Sequence, residues 1–169
     1  MSLQTDRIFF EALNADATLA EILGAKAATD TEEAVPPRLY NTAIPLPDED
    51  ADNVPAPYVI VTFDGLTNDE STKDSYEGDT DMVQIGIEVA ALTRPQLAQL
   101  TEMVRRDVRT FFKNYAPAAG EESEDLSPLI PFDYRLTASA ISYDGYKPAF
   151  WQVLFYQCDT NSDSNEQEE

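Results

Sequence analysis

Apolar residues in this chain recur at helical spacing near the start, alternate through the middle, turn helical once more, and alternate again toward the end. Ile8, Phe9, Ala12 and Leu13 fall at i, i+1, i+4 and i+5, which predicts a helix over Thr5 to Leu13 with Thr5 or Asp6 able to cap it. A second short helical turn, Leu19 to Leu23, stops at Gly24. Residues 24 to 55 hold Pro36, Pro37, Pro45, Pro47 and Pro55, so no long helix fits there. Arg38, Leu39 and Tyr40 form a short strand within that span. The rest of it is expected to be mobile, or held by something outside its own fold.

Pro57 to Phe63 is the first clear strand, rich in Val, Ile and aromatics. A polar, acidic connection over residues 64 to 79 leads to Met82 to Leu92. There Val83, Ile85, Ile87 and Val89 alternate with Gln84, Gly86 and Glu88, so one face is buried and the other is wet or meets a partner. Thr93-Arg94-Pro95-Gln96 is a helix start: Thr93 caps, Pro95 sits in the first turn, and Gln96 stands where a capping box closes. Leu97, Leu100, Val104, Val108, Phe111 and Phe112 then keep helical spacing to about Tyr115, before Pro117. Tyr134 to Tyr143 alternates again, Asp144-Gly145 signals a hairpin, and Ala149 to Cys158 is the return strand. That strand is apolar on both faces, with Trp151, Val153 and Phe155 on one and Phe150, Leu154 and Tyr156 on the other. It is therefore central, or covered on one side by a partner.

The order helix, long loop, strand, strand, helix, strand, strand implies an α+β domain. The expected architecture is a mainly antiparallel sheet of about four strands with two helices packed on one face. Residues 1 to 158 form this single domain, and 159 to 169 are expected to be an acidic disordered tail.

Charge sharpens the picture. The 169 residues carry 32 acids and 11 bases, a net charge of −21. Nineteen of those net charges lie in four segments, 48–52, 64–81, 121–125 and 159–169, so a nearly neutral framework carries acidic loops. So few cations disfavour nucleic acid and anionic membranes as partners. No run of 18 apolar residues predicts a membrane span, and Met1 to Gln4 lack the basic start of a signal peptide. The basic residues of the long helix, Arg105, Arg106, Arg109 and Lys113, share one side, either as a solvated face that suits the helix dipole or as a docking face for an acidic neighbour.

Candidate chemistry is sparse. There is no histidine, so imidazole catalysis is excluded, and the single cysteine, Cys158, allows no internal disulfide or cysteine metal cage. A lone cysteine fits a reducing cytosol. Six glycines form no phosphate-binding loop. Asp159, Asn161, Asp163 and Asn165 have calcium-loop spacing, but Ser164 stands where the sharp turn needs glycine and no twelfth-position Glu follows. The expectation is a protein that is not an enzyme and holds no cofactor or metal.

The segment IFFEALNADATLAEIL at residues 8–23 resembles the opening of the tail terminators of long-tailed bacteriophages, the lambda minor tail protein U-like family. The Arg38-Leu39-Tyr40 strand, the proline-flanked Pro55-Ala56-Pro57-Tyr58-Val59-Ile60-Val61, the strand MVQIGIEVAAL at 82–92 and the capped helix after it follow that family's order, covering most of residues 5 to 158. The resemblance implies a structural protein that forms a homo-oligomeric ring, typically a hexamer, on the head-proximal end of the tail tube. Its partners would be the tail tube protein and the head connector. Its place would be the bacterial host cytoplasm during assembly and then the virion tail. A head–tail connector of the neck, and a cytosolic binding module unrelated to phage, are the alternatives.

Ring closure needs two different patches per subunit. The candidates are the helix face Arg105, Arg106, Arg109 and Lys113 against an acidic loop, either Asp48, Glu49 and Asp50 or the 69–81 segment, with Phe150, Leu154 and Tyr156 as the desolvated centre. A second acidic loop, with Asp69, Glu70, Asp74, Glu77 and Asp79, is expected to face the channel and repel passing DNA.

Overall fold

A computed structural model describes residues 4–41, 54–68, 80–114, 131–145 and 149–161. The helices are α1 (Gln4–Asn14), α2 (Ala17–Ile22) and α3 (Arg94–Asn114). The strands are β1 (Leu39–Asn41), β2 (Tyr58–Asn68), β3 (Thr80–Ala91), β4 (Pro131–Ala138), β5 (Ser142–Asp144) and β6 (Ala149–Asn161). They form one mixed sheet of six strands in the order β1-β2-β3-β6-β4, with β5 also paired to β6. The α+β class is as expected, with more strands and one more helix than the hydrophobic pattern predicted. All neighbouring pairs are antiparallel except β1 with β2, which run parallel.

Two departures have local causes. The run expected as one strand from Tyr134 to Tyr143 breaks at Ser139, whose hydroxyl accepts the Val153 amide at 3.0 Å in place of a backbone carbonyl. The Ser139 carbonyl meanwhile takes the Gln152 side-chain amide at 2.8 Å, so the register restarts in β5. The last strand continues past Cys158 through Asp159, Thr160 and Asn161, which pair with Met82, Asp81 and Thr80. Ladder hydrogen bonds need backbone and not apolar side chains, so a polar end extends a strand whose partner is long enough. The remaining tail, 162–169, lies outside the described residues.

The proline-rich span is held from within as far as Asn41. Lys26 and Val35 form an isolated antiparallel bridge, with N···O distances of 3.0 and 2.9 Å. Arg38 then ties three places together. Its amide donates to the Leu23 carbonyl at 2.9 Å, its carbonyl accepts from Val59 at 3.0 Å, and its Nε donates to the Pro57 carbonyl at 2.8 Å. Gly24 lies beneath the same guanidinium at φ +90°, a left-handed conformation that a side chain would strain.

The core lies on one face of the sheet. Val59 and Val61 of β2, Val83, Ile85, Ile87 and Val89 of β3, and Leu154, Tyr156 and Cys158 of β6 share that face in register and are buried. Phe9, Leu13, Leu97, Leu100, Val104 and Val108 of α1 and α3 pack down on it. An aromatic cluster joins four elements: Phe9 meets Tyr156 at 5.3 Å and Phe112 at 6.0 Å, and Tyr134 meets Phe112 at 4.6 Å and Tyr156 at 5.4 Å between ring centroids. Full burial of a side chain such as Phe9, 1% exposed, contributes roughly 1.5–3 kcal/mol. The start of α3 is capped as the sequence predicts: the Gln96 amide donates to Thr93 Oγ1 at 3.2 Å. The Gln96 side chain reaches one residue further back than a standard capping box, accepting from the Leu92 amide at 2.9 Å.

Candidate assembly surfaces

The register assigns the faces of β6 and corrects one expectation. Leu154 and Tyr156, expected at the centre of an outer contact, are 2% and 1% exposed beneath the helices. Phe150 shares their face and is half-buried, its ring tilted against that of the exposed Tyr143 with centroids 4.8 Å apart. Alternation left either set free to face inward, and the helix layer chose this one. The outward set is therefore Trp151, Val153 and Phe155, each partly buried, on the sheet face opposite α1 and α3.

On that open face Trp151, Val153 and Phe155 stand beside Ala90, Glu88 and Gly86 of β3, which in turn pair with Tyr58, Ile60 and Thr62 of β2. No described helix packs there. Its polar groups include Glu88 and Asp64 with their donors toward β2, Asp144 of β5 close enough to act on Tyr58, and Gln157, Arg135 and Thr137 toward β4. Tyr58 donates its hydroxyl to Glu88 Oε1 at 3.2 Å. Burial, followed by the charge and hydrogen bond of Glu88, pushes the Tyr58 hydroxyl up to about 12, so it stays a donor. Asp64 is the extra residue of a bulge between Phe63 and Gly65. Its side chain accepts from Thr62 Oγ1 at 2.8 Å and folds over Gly86, where any Cβ would meet its carboxylate. Glycine at 86 gives that carboxylate its seat, a role the alternating pattern did not reveal.

The four basic residues of α3 separate into two kinds. Arg105 bonds Glu102 Oε2 at 3.3 Å on the same helix. Arg106 Nη2 donates to Asp16 Oδ2 at 3.1 Å and its Nε lies 3.7 Å from Asp107 Oδ1, so it serves the joint between α3 and α2. Arg109 and Lys113 are exposed and have no ion pair among the described residues. The expected basic face therefore offers two uncommitted cations.

A cleft of about 590 Å³ lies beside that joint, lined by Ala12, Ala15, Asp16, Arg106, Asp107, Thr110 and Phe111. Asp16 caps α2, its Oδ1 accepting from the Thr18 and Leu19 amides at 3.0 and 3.2 Å. Burial, then the hydrogen bond and charge of Asp16, push Asp107 up to about 7 against the pull of Arg106. Burial also raises Asp16, but its bonds with Asp107, the Leu19 amide and Arg106 outweigh this and hold it below the usual carboxylate range. Of the two carboxyls Asp107 is thus the one that keeps its proton toward neutral pH, and a structural role in joining two helices accounts for both. Sequence reasoning passed over this pair because its members are 91 positions apart and neither lies in an acidic run.

The acidic candidates Asp48, Glu49 and Asp50, and the channel candidates Asp69, Glu70, Asp74, Glu77 and Asp79, lie outside the described residues. Among the described residues no group of three or more Cys, Asp or Glu is placed to hold a metal ion. No described helix is long and apolar enough to cross a membrane.

No family model matches the chain, and no curated protein matches it. Among solved structures, the fold is similar to that of a chain in the virion of a native gene transfer agent particle. The similarity extends over 93% of this chain and 94% of that one, at 12% identity and a TM-score of 0.49.

Proposed function

We propose that this protein is a structural subunit of a phage or prophage tail. It forms a ring on the head-proximal end of the tail tube, ends tube growth and joins the tail to the head. The observation that carries this reading is two-sidedness. All described helices lie on one face of the sheet, and the other face presents Trp151, Val153 and Phe155 with no described helix over them. An apolar face rimmed by polar groups marks a contact surface. The sequence words of a tail terminator fall on the elements that build this arrangement. Arg38-Leu39-Tyr40 leads into the edge strand β1, the proline-flanked segment becomes β2, and the Thr93-capped segment becomes α3.

The test is electron microscopy of the purified chain mixed with tail tubes assembled from the tube protein of the same genome. Rings that cap tube ends and fix tube length are expected. Bare ends with continued growth overturn the proposal, and attachment to portal complexes with bare tube ends moves the protein to the neck.

A further inference from the structure

The open sheet face and the exposed cations of α3 lie on opposite sides of the same subunit, and the acidic β2–β3 side of that face is complementary to those cations, Arg135 standing apart on β4. On the sheet, the Asp64 carboxylate is seated over Gly86, two residues along β3 from Glu88. At the rise of a strand this puts the two acidic positions about 7 Å apart. On the helix, Arg109 and Lys113 are four residues apart, about 6 Å along the axis. Both are exposed and neither has an ion pair among the described residues. We propose that the occupant of the open face is a second copy of this chain, seated with Arg109 and Lys113 against Glu88 and Asp64.

The same seating covers the apolar part of the face. Arginine and lysine bury their methylene stems on apolar surface while keeping the charge at a polar partner. A guanidinium above Trp151 or Phe155 also gains the attraction of a cation for an aromatic face. Because the two patches lie on opposite faces of the subunit, the contact is heterologous. Each added copy offers a fresh open face, so growth ends only by ring closure. In a chain of net charge −21, such pairing steers copies into one orientation where bulk charge repels them.

This inference rests on the ring reading above and specifies the contact that builds the ring. Trp151 is the single tryptophan, so its fluorescence reports on the open face alone. With the full chain, sedimentation and Trp151 emission are followed together over a range of protein concentration and salt. Assembly is expected to bring a blue shift of Trp151, with the midpoint moving to higher concentration as salt rises. The double variant Arg109→Glu/Lys113→Glu keeps the sheet patch and loses the helix patch. Val153→Lys does the reverse and spares the tryptophan. Each alone is expected to stay monomeric with unchanged far-ultraviolet circular dichroism, and their mixture is expected to give 1:1 dimers that grow no further.

A wild-type chain that stays monomeric at every concentration overturns the inference. So do oligomers in which Trp151 emission does not move, and a variant mixture that stays monomeric. Rings on tube ends formed equally by Val153→Lys would sink this contact and leave the ring reading standing. Head-to-tail oligomers that ignore tube ends would do the opposite.

Discussion

Arg106 on α3 reaches both Asp16 at the head of α2, at 3.1 Å, and its own neighbour Asp107, at 3.7 Å, so the two carboxyls meet at one joint. Asp107 Oδ2 is buried and has no conventional donor, and an ionised pair would place two negative charges in one partly buried joint. Asp107 is raised from 3.8 to about 7 on folding, so between those values the native state holds a proton that the unfolded chain has released. Its contribution to stability is full below pH 4 and is lost as pH rises through about 7. Asp16, which is lowered, works the other way and loses its contribution only at strongly acid pH. Thermal unfolding should therefore show a melting temperature that falls from pH 5 to pH 8. In Asp107→Asn an amide can donate at any pH, so that slope should flatten. An unchanged slope in the variant would refute the pair.

The face assignment of β6 makes a paired prediction. Leu154→Ala removes a side chain 2% exposed beneath the helices and should cost roughly 2–5 kcal/mol. Val153→Ala, one residue away on the open face, should cost well under half of that in the isolated subunit. Urea unfolding of the two variants below any assembly concentration checks the contrast, and equal losses would mean that the faces are misassigned.

Gly24→Ala tests the tie at the sheet edge. A methyl group there stands 2.6 Å from Arg38 Nη1 and forces a side chain into φ +90°. Backbone strain of this kind costs about 1–3 kcal/mol. Displacing the guanidinium also breaks its bond to the Pro57 carbonyl. Hydrogen exchange should show the Val59 amide, which bonds the Arg38 carbonyl, losing protection before the β3–β6 ladder does.

Cys158 is fully buried between β3 and β4, and burial, with lesser contributions from Asp159 and Asp133, pushes its thiol up to about 12. The thiolate is the reactive form, so the native protein should resist an aromatic disulfide reagent at pH 8. Titration in denaturant should release one thiol per chain. Rapid labelling of the native protein would contradict the buried position.

The elements with strong period were legible in the sequence. The apolar rows of α3 and β3, and the Thr93 cap, lie where spacing put them because each depends on residues within one turn or one strand. The faces of β6 were not legible, since Trp151-Val153-Phe155 and Phe150-Leu154-Tyr156 are equally apolar and only the helix layer decides between them. The extension to Asn161 was missed because ladder pairing is a property of backbone length. Of the assembly surfaces, the cations of α3 could be read from helical spacing. Their division into committed and free could not, because Arg106 finds Asp16 90 residues away.

The pairing of β3 with β6 joins Thr80 to Asn161 and runs through the middle of the sheet. Until β6 has left the ribosome, the β1-β2-β3 unit and β4 have no strand between them, and the apolar row of β3 has one uncovered edge. A nascent chain interrupted before residue 149 therefore cannot bring β4 to the rest of the sheet. Translation must pass β6 before the fold closes, which keeps copies broken off ahead of that strand out of any assembly that recognises the finished surface.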